Sequence, residues 1–201
     1  MFNKNKNLRV KKAFENLKEN FIKAVDRHEV IQFVPATEKI DKTSIILNLG
    51  RILTKNGYKV IIIESDFRNP TLSEKAEVEI NRGLVDILEK ERPYENYIIN
   101  DSIEKGLDMI LAPEKREDTL GFLDIDRLDD IFYLLSEKYD YILLDTASNE
   151  KNDDAHFYAD LVDSVMILAP KKDFRDKKLK NALEKLENVG AKISAIIKTE
   201  K

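Results

Sequence analysis

The sequence predicts a three-layer α/β fold: a doubly wound, mostly parallel sheet flanked by helices. Two observations predict it. Six short runs rich in β-branched residues recur at 30–34, 60–63, 109–111, 141–144, 165–168 and 193–197. Helix-period segments lie between most of them. Strands that are apolar almost throughout are buried on both faces, so helices must cover both faces of the sheet.

Taken in order, residues 1–7 are rich in Asn and Lys and are expected to form a frayed tail. Val10, Ala13, Phe14, Leu17, Phe21 and Val25 then fall at helical spacing and form one apolar stripe. A second helix is expected over 43–55, with Ile45, Ile46, Leu49, Ile52 and Leu53 inward and Asn56-Gly57 as its stop. A third covers 127–138, carried by Leu128, Ile131, Phe132, Leu134 and Leu135. A fourth covers 175–189, carried by Leu179, Ala182, Leu183, Leu186 and Val189, and Gly190 stops it. The 201 residues make one full-sized domain.

Composition excludes several functions. There are no cysteines, hence no disulfides, zinc-cysteine sites or thiol catalysis. The 34 basic and 38 acidic residues give a net charge of −4, which disfavours nucleic acid as the main partner. No apolar run is long enough to span a bilayer, so the expected compartment is cytoplasmic. His28 and His156 have no metal-site spacing and read as structural or surface residues. The basic residues within 171–180 alternate with Asp173 and Asp176, as on a solvated helix face.

In doubly wound sheets ligands bind beyond the carboxyl ends of the strands. After the first run comes Pro35-Ala36-Thr37-Glu38-Lys39-Ile40-Asp41-Lys42-Thr43-Ser44, leading into a helix. The place and the Lys-Thr ending match G-x-x-x-x-G-K-[ST], in which amides and the helix start hold phosphates, the lysine reaches them and the hydroxyl binds Mg²⁺. An ordinary β–α turn accounts for the same residues. After the second run come Glu64 and Asp66, one residue apart and so expected on the same side of the pleat, where a metal or general base would sit. A solvated loop accounts for these too. After the fourth run comes Asp145, an acid ending an apolar strand, as in motifs that orient Mg²⁺. Strands also end in Asp for structural reasons alone.

Together the three segments resemble the cytoplasmic domain of bacterial tyrosine kinases of the capsular exopolysaccharide type, relatives of the Min/Par ATPases with a P-loop NTPase fold. The resemblance runs from about Val10 to Thr199. It is carried by Lys59–Leu72 against the family's strand followed by D-x-D-x-R-x-P, by Gly83-Leu84-Val85-Asp86-Ile87-Leu88, and by Tyr139-Asp140-Tyr141-Ile142-Leu143-Leu144-Asp145-Thr146. Asp154-Ala155 fits as well. The resemblance implies ATP and Mg²⁺ as cofactors. It places Lys42 on the β/γ-phosphates and Thr43 on Mg²⁺. Asp66 and Asp145 would hold the metal or the attacking group, with Glu64 beside them, and Arg68 would organise its motif. Thr199 stands near the family's adenine-contacting Asn.

Departures fall on the site. The family loop reads about P-G-E-G-K-[ST], and Lys39 and Asp41 replace its glycines. A Cβ at Asp41 obstructs the approach of phosphate, and its carboxylate repels it. At about 4 Å and an effective dielectric of about 20 that repulsion reaches about 4 kcal/mol, and about half of it costs more than tenfold in affinity. Glu64 replaces an Asp, Ala147-Ser148 replace Pro-Pro, and no tyrosine follows Tyr158. The helix positions matching the family's ring-forming E-x-x-R-x-x-R are Lys12, Glu15 and Lys18; local ion pairs on a solvated helix account for them equally. The expectation is a degenerate relative acting as an interaction module. Its partner would be a protein, such as a membrane polysaccharide-export adaptor or a kinase homologue, through which it would reach the membrane. The alternative is an active ATP-dependent tyrosine kinase or ATPase of exopolysaccharide biosynthesis.

Overall fold

The computed structural model describes residues 2–79, 82–89, 92–112, 115–117, 119, 121, 123–148, 150, 154–171 and 177–199, with the backbone alone for 2–6. Among the described residues six strands form one sheet: β1 (Glu29–Pro35), β2 (Val60–Ser65), β3 (Leu107–Ile110), β4 (Tyr141–Thr146), β5 (Ser164–Pro170) and β6 (Ile193–Thr199). Their order is β3-β2-β4-β1-β5-β6, and every pairing is parallel. All six expected strands are present; five are extended at one end or both, and β3 starts two residues earlier than expected and ends one residue before Leu111.

Among the described residues seven α-helices accompany them: α1 (Phe2–Ala24), α2 (Lys42–Lys55), α3 (Leu72–Ala76), α4 (Leu84–Glu89), α5 (Ile125–Ser136), α6 (Asp154–Phe157) and α7 (Lys177–Asn188). The segment expected as a tail is helical from Phe2 onward. The expected start of the last helix at Arg175 lies outside the described residues, as do Asp173 and Asp176.

The alternation of side chains along each strand divides the core into layers. Ile31, Phe33, Ile62 and Leu143 face Phe21 of α1, Ile46, Leu49 and Leu53 of α2 and Leu72 of α3. Ile61, Ile63, Ile142 and Leu144 face Leu84 and Ile87 of α4 and Leu128, Ile131 and Leu135 of α5. Val165 and Ile167 face Leu179, Ala182 and Leu186 of α7. Each fully buried Val, Leu, Ile or Phe among them contributes about 1.5–3 kcal/mol relative to exposure. Gly50 brings α2 close to the sheet, since a Cβ there would lie 2.9 Å from Leu107 Cδ1 and 3.3 Å from Ile62 Cδ1.

Helix ends follow the residues. Asp124 caps α5 by accepting from Arg127 N at 3.1 Å. Gly57 and Gly190 take φ values of 88° and 79° beyond α2 and α7, a region open to glycine. His28 has a φ of 68°, and its Nδ1 donates to Ser136 O at 2.7 Å, a structural role. Gln32 of β1 is a fully buried polar side chain within the sheet, and its Nε2 donates to Thr146 Oγ1 at 3.2 Å and Ala155 O at 2.8 Å.

The apolar stripe of α1 packs on the domain from Leu17 to Val25, whereas Val10 stays 48% exposed. Glu15 and Lys18 of α1 form a local pair at 2.9 Å, and Lys18 also donates to Asn56 Oδ1. Among the described residues no helix is long and apolar enough to cross a membrane, and no group of three or more His, Cys, Asp or Glu could hold a metal ion.

Candidate functional site

Strands β2, β4 and β1 are neighbours, and their register decides what meets at their carboxyl ends. Asp145 of β4 stands opposite Phe33 of β1 and Glu64 of β2. Asp66 follows β2 directly, and Lys42 is the first residue of α2 after the loop from β1. A cleft of about 860 Å³ opens here, with Lys39, Asp41, Lys42, Thr43, Asp66 and Arg68 on its walls.

At its floor the Lys42 ammonium lies 2.8 Å from Asp66 Oδ2 and 2.7 Å from Asp145 Oδ1. Thr43 Oγ1 donates to Asp145 Oδ2 at 2.8 Å and meets Thr71 Oγ1 at 3.0 Å. Four of the seven expected site residues, Lys42, Thr43, Asp66 and Asp145, are therefore brought together. Burial opposes a charge on Lys42, but Asp145 and then Asp66 outweigh it and push its pKa above the ordinary lysine value.

Glu64 is not part of this group. It is fully buried, does not line the cleft, and faces backbone amides. Its Oε1 accepts from Thr71 N and Leu72 N at 2.7 Å each, and its Oε2 accepts from Ala112 N at 3.0 Å. Glu64 thus ties the end of β2 to the start of α3 and the end of β3. Burial raises its pKa to about 7, against the pull of the three amides. The expected shared side of Glu64 and Asp66 fails because β2 ends at Ser65, so Asp66 lies past the regular pleat.

Arg68 is also committed. Its Nε and Nη2 donate to Asp154 Oδ2 and Oδ1 at 2.6 and 3.2 Å, and Nη2 reaches Thr119 Oγ1 at 3.3 Å. That fork raises its pKa further and fixes the loop after β2 against α6. Thr199 is elsewhere: it lines a second cavity of about 620 Å³ beside α1, and its hydroxyl donates to Ala169 O at 3.3 Å.

The loop between β1 and α2 pairs with itself and its neighbours. Glu38 N donates to Glu150 Oε2 at 3.1 Å, and Lys39 N to Thr37 Oγ1 at 3.1 Å. Ile40 N donates to Thr37 O at 3.3 Å, and Lys42 N to Ile40 O at 2.9 Å. Ser44 N donates to Asp41 Oδ1 at 3.2 Å, so Asp41 is the N-cap of α2. None of the loop residues 36–41 has a positive φ. Asp41 Oδ2 accepts from Lys75 Nζ at 3.0 Å. Burial disfavours the Asp41 charge, yet the hydrogen bonds from Lys75 and Ser44 hold its carboxyl below the usual range.

In the acidic half of the cleft Asp66, Asp145 and Thr43, the residues expected to hold a magnesium ion, converge, with the Lys42 ammonium lying between the two carboxylates. The phosphate half does not fit a nucleotide. Five amides of the loop and the helix start already have acceptors within the protein, and a carboxylate stands at the helix start where phosphate oxygens would go. Sequence reasoning missed Lys75, Thr71 and Glu150. Asp154, quoted for the resemblance, gave no sign there of being the partner of Arg68.

No family model matches the chain. An uncharacterised ATP-binding protein of Methanocaldococcus jannaschii is 33% identical over 135 residues, 67% of this chain and 50% of that protein. The tyrosine-protein kinase CpsD of Streptococcus pneumoniae is 23% identical over 167 residues, 82% of this chain and 73% of that protein. The chain thus spans half the length of the Methanocaldococcus relative. Among solved structures, the chimerical protein CapA2B2 superposes with a TM-score of 0.82 at 22% identity, covering 94% of this chain and 84% of that one. The kinase domain of the Escherichia coli tyrosine kinase ETK gives 0.77 at 20% identity, covering 87% and 69%. The septum site-determining protein MinD of Pyrococcus horikoshii, solved with Mg-ADP, gives 0.71 at 21% identity, covering 85% and 69%. These likenesses establish the P-loop ATPase fold.

Proposed function

We propose that this chain, a homologue of the bacterial capsular-type tyrosine kinases on the P-loop fold they share with Min/Par ATPases, is a degenerate member. It works as a regulatory or interaction module that binds nucleotide weakly or not at all. The observation that carries this reading is the Asp41 carboxylate at the start of α2, accepting from Ser44 N. A phosphate brought to that place would meet a fixed negative charge and amides already paired. The module's work is then recognition of a protein, a polysaccharide-export adaptor or a kinase homologue, in the cytoplasm and at the membrane through that partner. The homology to CpsD supports this setting.

The second reading is an ATP-dependent tyrosine kinase or ATPase. It is favoured by the convergence of Lys42, Thr43, Asp66 and Asp145 within 2.7–2.8 Å contacts. Calorimetric titration of ATP and ADP, with and without Mg²⁺, separates the two. The first predicts no measurable heat and no thermal shift. Tight binding by the wild type that Lys42→Ala abolishes would establish the second, and phosphotransfer to tyrosine would then be assayed.

A further inference from the structure

Asp41, Ser44 and Lys75 form a closed ring at the mouth of the cleft. Asp41 Oδ1 accepts from Ser44 N, Asp41 Oδ2 accepts from Lys75 Nζ, and Lys75 Nζ also donates to Ser44 Oγ at 3.0 Å. Lys75 is not there by chance of a long side chain alone. It belongs to α3, whose first amide, with that of Thr71 just before it, is gripped by the buried Glu64 carboxylate. The end of β2 thus holds α3, and α3 presents Lys75 to the loop.

The ring has the chemistry of an occupied anion site. A carboxylate takes the helix-start amide, and a lysine ammonium neutralises it, as both would do for a phosphate oxygen. Beneath it Lys42, the cation at the floor of the cleft, stays with Asp66 and Asp145. We infer that Asp41 is a built-in occupant of the phosphate position, held by Lys75, and that this latch is what excludes phosphate-bearing ligands from the cleft. The inference rests on the non-binding reading above and supplies its cause.

The latch is reversible in principle. Asp41 and Lys75 keep 58% and 30% of their side chains exposed, and half-exposed ion pairs are weak. Removing the Asp41 carboxylate would free the Ser44 amide and the Lys75 ammonium, the two groups at this mouth suited to a phosphate oxygen.

The test titrates Mg-ADP into the wild type, Asp41→Asn and Asp41→Gly by calorimetry, with thermal midpoints recorded for each. Asn caps helices as well as Asp, so Asp41→Asn removes the charge and keeps the fold. Asp41→Gly removes the side chain as well. The expected result is a wild type without binding, and variants that gain affinity by about tenfold or more, the glycine variant most, as loss of the repulsion requires. Folded variants that bind no better than the wild type would overturn the latch and leave the non-binding reading standing. A wild type that binds as tightly as its variants would overturn both.

Discussion

The Lys42 ammonium lies 2.7 Å from the Asp145 carboxylate, with 8% and 1% of the two side chains exposed. Asp66 completes the cluster at 2.8 Å. Lys42 is therefore a structural cation as the protein stands. Lys42→Ala leaves two buried carboxylates facing each other and is expected to lose about 3–5 kcal/mol in urea unfolding. A lysine free in an open cleft would leave stability nearly unchanged on removal, so the size of the loss discriminates.

Glu64 makes stability depend on pH in an unusual sense. Its folded pKa, at about 7, lies above the unfolded carboxylate value, so the folded state binds the extra proton. Its contribution is fully present below the ordinary carboxylate range and is lost as pH rises towards about 7. The slope amounts to roughly 2–3 kcal/mol over that window. Glu64→Gln should flatten it, as read from unfolding midpoints between pH 5 and pH 8.

The Arg68–Asp154 pair should respond asymmetrically. Arg68 is 32% exposed and Asp154 only 7%. Arg68→Ala strands a buried carboxylate and is expected to cost about 2 kcal/mol, whereas Asp154→Ala lets Arg68 rehydrate and costs about 1 kcal/mol or less. Chemical denaturation of the two variants side by side checks the order.

At Gly50 the approach of α2 to the sheet leaves no room for a branched side chain. Gly50→Val is expected to lower stability by about 1–3 kcal/mol through overpacking against Leu107 and Ile62, measured as a fall in thermal midpoint.

The sheet was legible because its signals are local. Runs such as Tyr141-Ile142-Leu143-Leu144 need no knowledge of their neighbours, and Asp145 at the end of one marks the strand's carboxyl end. Lys42, Thr43, Asp66 and Asp145 could be placed together because successive strand ends share one rim of a parallel sheet. The Asp41–Lys75 pair could not be read, since its members lie 34 residues apart and α3 is a five-residue helix without periodicity. Glu64 was misplaced by treating the pleat as continuing past Ser65. Thr199 was assigned from the resemblance alone, and the structure sets it beside α1.

The buried amide of Gln32 has a consequence for how the chain finds its fold. β1 and β4 are so apolar that sliding one along the other by two residues would keep the same faces inward. Such a slip would carry Gln32 away from Thr146 and Ala155 and leave its two protons unpaired in hydrocarbon, a penalty of about 2 kcal/mol or more. One glutamine within the sheet therefore acts as an alignment key, favouring the native register over a two-residue slip that the hydrophobic residues alone would tolerate.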